Sequence, residues 1–410
     1  MQRLLWELRR RLHAPSRNPR TAVVIGRLLG AAFLVCMATG LYSHFIQEPL
    51  PGMGFLTRPI WLYQLTQGIH ITAGILCFPL IVAKLYAVFP ELFQIPPVKG
   101  PLGLLERGSI ALFVASSLVQ ITIGLLNTYQ WYALFPFPFR QTHFALSFVI
   151  IGSLALHIAI KLPVIRTYWF KANADVPMER EDDAAFQPVA GSIAPLRGVT
   201  GRVFAWIDKT PAPSTSRRSF FAVVGVAGAA LVTLTAGQSF KVLDATNAFG
   251  PRKNGVGPSG LPINRTAKKA DVVEAAMSSD WRLTVLGAST ITLSRADLLA
   301  LPQHTVDLPI ACVEGWSQMA TWSGPRLRDI IDSVGGPPDA TIKVQSLEKG
   351  SIYATSELPA NFARDELTLV ALTLNGDVLD IDHGYPARLI APARPGVLQT
   401  KWLSTLEVLS

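Results

Sequence analysis

The sequence predicts a membrane α-helical bundle followed by a mixed α+β domain of ordinary globular texture. Three observations predict it. The 410 residues are 50% hydrophobic and 16% charged, whereas soluble domains carry roughly 25% charged residues. Lys and Arg concentrate among long apolar runs: residues 1–237 hold 21 against 10 Asp/Glu, while residues 238–410 hold 16 against 18. Beyond residue 270 the long runs give way to short apolar stretches bounded by Gly, Pro, Asn and Asp. This composition excludes a disordered chain, a disulfide scaffold and an ordinary cytosolic enzyme. A basic balance around apolar runs points to a lipid bilayer and away from nucleic acid.

A spanning helix needs about 20 mostly apolar residues. Five stretches qualify: 28–47, 59–83, the uncharged run 108–139 with its helix ending near Leu126, 141–160, and 219–240. None contains Asp, Glu, Lys or Arg, and none alternates as a barrel strand does. Basic residues crowd the N-terminal tail (Arg3, Arg9, Arg10, Arg11, Arg17, Arg20), the loop after span two (Lys84, Lys99) and the segment 166–218. The alternate loops carry only Arg58 and Arg140. The positive-inside bias therefore puts the N-terminus in the cytoplasm of a multi-pass protein of the inner (cytoplasmic) membrane, and the fifth span delivers the C-terminal part outside. The first apolar run is too long for a cleavable signal peptide and lacks a small-residue cleavage end.

Four parts follow: a four-span domain 1–165, a polar cytoplasmic linker 166–218, the fifth span 219–240, and an extracytoplasmic domain 241–410. The linker carries Glu179, Arg180, Glu181, Asp182 and Asp183, then Pro211 and Pro213. Residues 241–265 are rich in Gly, Pro and Asn and read as a tether. In the outer domain 282–286, 341–345, 368–374 and 387–390 read as strands, and 295–300 and 325–334 as short helices.

Four histidines, His44, His70, His143 and His157, lie within the spans. Ionisable residues at that depth default to function. His143 and His157 are 14 residues apart, which sets them within roughly 40° of one helix face and about 21 Å apart along the axis. One helix can thus offer a ligand to each of two stacked haems, with His44 and His70 opposite. Bis-histidine ligation saturates iron and suits electron transfer. Zinc needs about four clustered ligands, which that separation forbids. The layout resembles the four-helix, b-type dihaem cytochrome subunits of formate dehydrogenases and hydrogenases over about residues 20–165. The resemblance implies haem b and exchange of electrons with a quinone or quinol. Depth pairs His44 with His143 and His70 with His157; one haem between His70 and His143 is the alternative. The family's first-span ligand sits near the inside, whereas His44 sits near the outer end. Lys84 and Lys161, at the inner ends of spans two and four, suit a quinone head or anionic lipid, or simply snorkel as anchors.

Ser216-Arg217-Arg218-Ser219-Phe220-Phe221 precedes the fifth span and resembles an internal twin-arginine export signal; positive-inside anchoring alone also explains it. Cys36, Cys77 and Cys312 make no disulfide framework. Cys312 alone belongs to the outer domain, as an inert thiol, a nucleophile or a metal ligand. His304, eight residues earlier, reads as a loop residue.

The run Cys312-Val313-Glu314-Gly315-Trp316, followed by Trp322-Ser323-Gly324-Pro325-Arg326-Leu327, resembles the molybdenum-cysteine loop of sulfite-oxidase-type molybdopterin domains. It is nearest to their periplasmic methionine sulfoxide reductase branch. His383-Gly384-Tyr385-Pro386-Ala387-Arg388, after Asn375-Gly376-Asp377-Val378-Leu379, and Lys401-Trp402-Leu403, after Pro395-Gly396, stand in the matching order. The resemblance covers about 260–410. It implies that Cys312 ligates molybdenum and that His383, Arg388 and Lys401 hold the pterin and its phosphate. Asn264 and Arg265 are implied as N-terminal cofactor contacts, and Tyr353 as a residue facing the metal, with a buried strand tyrosine as the alternative. Sulfite oxidases follow the cysteine with sulfite-binding arginines; here Glu314-Gly315-Trp316 stands instead.

The expected protein is a membrane-bound molybdopterin oxidoreductase that takes electrons from quinol through haem b and reduces a small S-oxide or N-oxide outside. The alternatives are a sulfite-type dehydrogenase feeding quinone, and a non-catalytic membrane electron carrier.

Overall fold

The computed structural model describes residues 12, 14–93, 100–170, 198–209 and 215–409. Arg3, Arg9, Arg10, Arg11, Lys99, Lys171, Arg180, Arg197, the charge cluster at 179–183, Pro211 and Pro213 lie outside them.

Among the described residues five helices are long and apolar enough to cross a membrane: α1 Pro19–Gln47, α2 Leu62–Val88, α3 Gly100–Thr128, α4 Phe139–Tyr168 and, after the shorter α5 Gly198–Lys209, α6 Arg217–Thr235. Several reach past the uncharged runs into polar sequence, because caps and not hydropathy end a helix. Asn18 Oδ1 accepts the Thr21 N–H at 2.8 Å, and Pro19 follows as the first helical residue, so α1 starts nine residues before Leu28. Ser216 caps α6 through the Ser219 N–H at 3.1 Å. The segment read as a polar linker contains α5. Val199 and Trp206 stand seven residues apart, on one helical face, with Arg202 between them.

The described residues fall into two compact units. One takes its residues from Met1–Met37, Ala73–Asn127 and Trp131–Val232; the other from Ala38–Thr72, Thr128–Gln130 and Thr233–Ser410. In the first, Leu29, Phe33, Cys77, Ile81, Phe113 and Ile150 form a buried cluster, and Ile25, Ala83 and Phe220 form another. Small hydroxyls lie buried among the helices. Ser116 and Ser153 return their protons to the carbonyls of Leu112 and Val149, both at 2.7 Å.

The second unit holds a mixed α+β fold. Its largest sheet has the order β2 (Thr290–Leu293), β1 (Leu283–Leu286), β11 (Leu403–Leu409), β5 (Thr341–Ser346), β6 (Thr355–Leu358); only β1 and β11 run parallel. A second sheet has the order β3 (His304–Ala311), β4 (Ser317–Gly324), β8 (Thr373–Leu374), β9 (Asp377–Val378), and β7 (Leu369–Ala371) pairs with β10 (Arg388–Ile390). Short helices α7 Val273–Met277, α8 Arg295–Ala300, α9 Leu327–Ser333 and α10 Ala360–Ala363 complete it. His304 opens β3 and is not a loop residue. The core centres on Leu283, Ile331, Val344, Leu389 and Leu406, with Trp281 donating to the Leu403 carbonyl at 2.9 Å. Residues 38–72 contribute directly: Phe55 packs on this core, and Arg58 makes a two-pronged pair with Asp365 at 2.7 and 3.0 Å. The stretch read as a tether is pinned. Lys241–Thr246 and Pro258–Gly260 are 3-10 turns, and Asn254 donates to Asp244 at 3.0 Å.

Candidate functional site

β3 and β4 pair as far as Ala311 with Ser317, so residues 312–316 form the turn between them. Its frame is set by Cys312 N–H to Trp316 O at 2.8 Å and Gly315 N–H to Cys312 O at 3.0 Å. Gly315 has φ 97°, and a Cβ there would stand 3.0 Å from Ile71, so glycine alone serves. Outside groups hold the turn as well. Gln67 Nε2 donates to the Val313 carbonyl at 3.4 Å, and the Ser239 hydroxyl donates to that of Gly315. Cys312 is 2% exposed, and burial followed by the nearby Glu314 pushes its thiol well above the usual range.

Arg388 and His383 line the same pocket as Cys312, with Lys401 joined to them through Asn264. Arg388, on β10, donates to the His383 carbonyl at 3.1 Å and lies 5.3 Å from the Trp322 ring centre; its Nε has no partner. Burial lowers its pKa to about 9. Lys401 donates to Asn264 Oδ1 at 3.2 Å and to the carbonyls of Arg265 and Asp382 at 2.6 and 2.9 Å. Burial, then Arg388, brings it down to about 7. His383 Nε2 lies 3.0 Å from Pro258 O and 3.1 Å from Leu261 O, so that nitrogen carries the hydrogen. Burial and the two cations lower its pKa to about 4 and keep the ring neutral. Gly384, φ 116°, leaves 3.1 Å between an added Cβ and the Lys401 backbone, which lets the two motifs meet.

Pro262, Asn264, Ile310, Cys312, Trp316, His383, Arg388 and Gly396 line one pocket. Four expected residues thus come together: Cys312, Asn264, His383 and Arg388. Lys401 joins them through Asn264. Arg265 lends its carbonyl to Lys401 but turns its guanidinium to Glu348 at 2.7 Å. Tyr353 is half-buried in a turn, not in a strand, and does not line the pocket. Sequence reasoning missed Arg394, whose guanidinium is buried, donates to Glu357 O at 2.7 Å and lies 5.4 Å from the Phe362 ring centre. Its signal was the arginine just before Pro395-Gly396. The lining fits an anionic organic group: it has no carboxylate, it has the unpartnered Arg388 Nε, and Lys401 lies beside it.

The span histidines divide between the units. In the second, His44 lies 3.7 Å from Glu48, and His70 Nδ1 is 3.1 Å from the Thr39 hydroxyl. A Cβ on Gly40 would stand 3.1 Å from the His70 ring. In the first, Gln120 donates to the His143 carbonyl at 2.9 Å, Gly124 lies beside the His143 ring, and His157 Nδ1 is buried without a partner. A ligating imidazole ordinarily has its second nitrogen hydrogen-bonded, as His70 has through Thr39, whereas His157 Nδ1 has no such partner. Lys84 donates to the Ala22 carbonyl at 2.7 Å, and Lys161 pairs with Glu106.

The family model "Oxidoreductase molybdopterin binding domain" matches residues 269–410. The uncharacterized oxidoreductase YuiH of Bacillus subtilis (strain 168) is 32% identical over 130 residues, which cover 31% of this chain and 64% of its own length. Mitochondrial sulfite oxidase of Drosophila melanogaster is 32% identical over 155 residues, 32% of this chain and 27% of its own. The protein-methionine-sulfoxide reductase catalytic subunit MsrP of Campylobacter jejuni is 23% identical over 223 residues, 48% of this chain and 75% of its own. The solved sulfane dehydrogenase SoxCD of Paracoccus pantotrophus matches at 22% identity and a TM-score of 0.30, covering 32% of this chain and 40% of that one. The chain spans 64% and 27% of the first two relatives. Residues 269–410 are thus similar to an oxidoreductase molybdopterin-binding domain, with sulfite oxidases and a protein-methionine-sulfoxide reductase among the relatives.

Proposed function

We propose that the chain is a membrane-bound oxidoreductase of the inner membrane, with its N-terminus in the cytoplasm and the domain after the fifth span outside. It takes electrons from quinol through haem b and reduces a small S-oxide or N-oxide. The observation that carries the reading is Cys312, buried in a pocket with Asn264, His383 and Arg388, in a chain that also has five membrane-length helices. When bound, the molybdenum cofactor supplies exchange of an oxygen atom with two electrons, and haem b supplies one-electron transfer.

The chain's own residues would do the rest. Cys312 offers the soft thiolate. Arg388 and Lys401 answer the phosphate, and neutral His383 and Asn264 orient the pterin by hydrogen bonding. His44, His70, His143 and His157 would hold one or two haems. The Thr39 hydroxyl at His70 Nδ1 is the kind of contact that orients a ligating ring for coordination at Nε2.

The sequence after Cys312 supports the direction and an S-oxide substrate. Glu314-Gly315-Trp316 stands where sulfite oxidases have sulfite-binding arginines, and Glu314 itself is buried. The C. jejuni methionine sulfoxide reductase, whose match covers 75% of its length, agrees with this substrate class. The higher identity to Drosophila sulfite oxidase, 32%, favours the second reading, sulfite oxidation with electrons passed to quinone. The buried cluster of cations and thiol speaks against a non-catalytic carrier.

Purified full-length protein, analysed for molybdenum and iron, tests the cofactors. Quinol-reduced haem should be reoxidised when methionine sulfoxide is added. Haem reduction by sulfite would reverse the assigned direction.

A further inference from the structure

Glu314 takes its shortest hydrogen bond from far away in the chain. Gln130 Nε2 donates to Glu314 Oε1 at 2.6 Å, and the same nitrogen lies 2.8 Å from the Asn264 carbonyl. A side-chain amide carries two hydrogens on that nitrogen, so both bonds form together. The other Glu314 oxygen lies 3.9 Å from Arg252. One glutamine thereby ties the turn that carries Cys312 to the segment that carries Asn264. Its neighbour Tyr129 anchors the same stretch by donating to the Phe249 carbonyl.

The backbone at Gln130 is the second observation. α3 ends at Thr128, and the Trp131 N–H returns to the Leu126 carbonyl at 3.0 Å. A helix end closed in this way puts one residue in the left-handed region, and glycine usually takes the place. Here Gln130 takes it, with φ 58°. Glycine would meet the backbone requirement with less strain, so the backbone gives no reason for glutamine. The two side-chain bonds do.

We propose that Gln130 is a positioning residue for the candidate molybdenum site. Its amide fixes the Glu314 carboxylate beside the Cys312 turn and locks that turn to the Asn264 segment. The inference rests on the reading of Cys312 as the metal ligand. Gln130 lies outside the matched residues 269–410, so the family domain alone lacks this support.

The test uses full-length protein in detergent and the variants Gln130→Gly and Gln130→Glu. Gln130→Gly relieves the left-handed backbone but removes the two side-chain bonds, so the opposed effects should leave its unfolding midpoint without cofactor close to the parent's. With cofactor it should retain molybdenum, show an altered Mo(V) electron paramagnetic resonance spectrum, and lose kcat about tenfold with KM little changed, the usual scale for an orienting contact behind a ligand. Gln130→Glu replaces the donor by a second carboxylate facing Glu314 and should do worse. A Gln130→Gly protein with the parent's spectrum and kcat overturns the proposal. A parent that binds no molybdenum overturns the cofactor reading and this inference with it, and the parent's own metal content identifies that case.

Discussion

The chemistry available at Cys312 depends on one sulfur atom and the cations around it. Cys312→Ser replaces a soft thiolate by a hard, weakly acidic hydroxyl. On the proposed reading Arg388 and Lys401 would hold the cofactor's phosphate independently, so the variant should keep the pterin, measured by fluorescence after release, and lose turnover. Arg388→Ala should show the reverse pattern and lose pterin and molybdenum together, because it removes the buried, half-partnered guanidinium. Lys401 makes the electrostatics visible through pH. Without an anion its folded pKa is about 7, against roughly 10.4 in an unfolded chain. Between these values the unfolded state binds more protons, so stability rises with pH. Cofactor-free protein should therefore gain stability from pH 7 to about 8.5, by at most about 1.4 kcal/mol per unit, before unfolded cysteine begins to ionise. Lys401→Met should flatten that rise in denaturant midpoints. A parent already flat would mean that Lys401 stays charged in the fold. The residues legible in the sequence were those inside ordered motifs, Cys312, His383, Arg388 and Lys401. Gln130, Gln67 and Ser239 were not, since nothing local marks a side chain that acts on a turn from 70 or more residues away.

Secondary elements follow local chemistry, which explains both the agreement and the shifts. β5, β10 and α8 fall within a residue of their sequence boundaries, because Gly, Pro and Ser chemistry bounds them. Ser294 caps α8 in a reciprocal box with Asp297. The spans were located by the absence of charge, yet α3 and α4 carry Glu106 and Lys161 as an ion pair. An apolar-run rule excludes such residues, although a paired charge can sit in a helix end. α4 is also the element whose histidine spacing bears on the proposed haem sites. His143 and His157 stand on one helix with distinct surroundings, Gly124 beside the first and a partnerless Nδ1 on the second. If each serves its own haem, His143→Ala and His157→Ala should each remove about half of the reduced b-type absorption, with distinguishable residual potentials. Two variants that both keep full absorption would end the dihaem reading, and one inert variant would reduce it to a single haem.

At the scale of the whole molecule, charge is divided unevenly: residues 1–237 carry the basic excess, and residues 238–410 are close to neutral. That division matches a chain that keeps basic loops inside while passing its last domain across. The C-terminal domain has two cations held below their usual pKa: Arg388 by burial, and Lys401 by burial and the nearby Arg388. An anionic cofactor would relieve this, so loading before export leaves the domain in its more stable state. On the proposed reading, export of a loaded, folded domain would need a folded-protein route, and Arg217-Arg218 at the start of α6 would be its signal. Lys in place of both arginines preserves charge and helix propensity. If the pair acts only as a positive-inside anchor, Arg217→Lys with Arg218→Lys should leave residues 241–410 outside. If it is read as an export signal, the domain should remain in the cytoplasm, protected from protease added to intact spheroplasts, while the first four spans still insert. Full protease access in the double variant would exclude the twin-arginine route without disturbing the assignment of the cofactors.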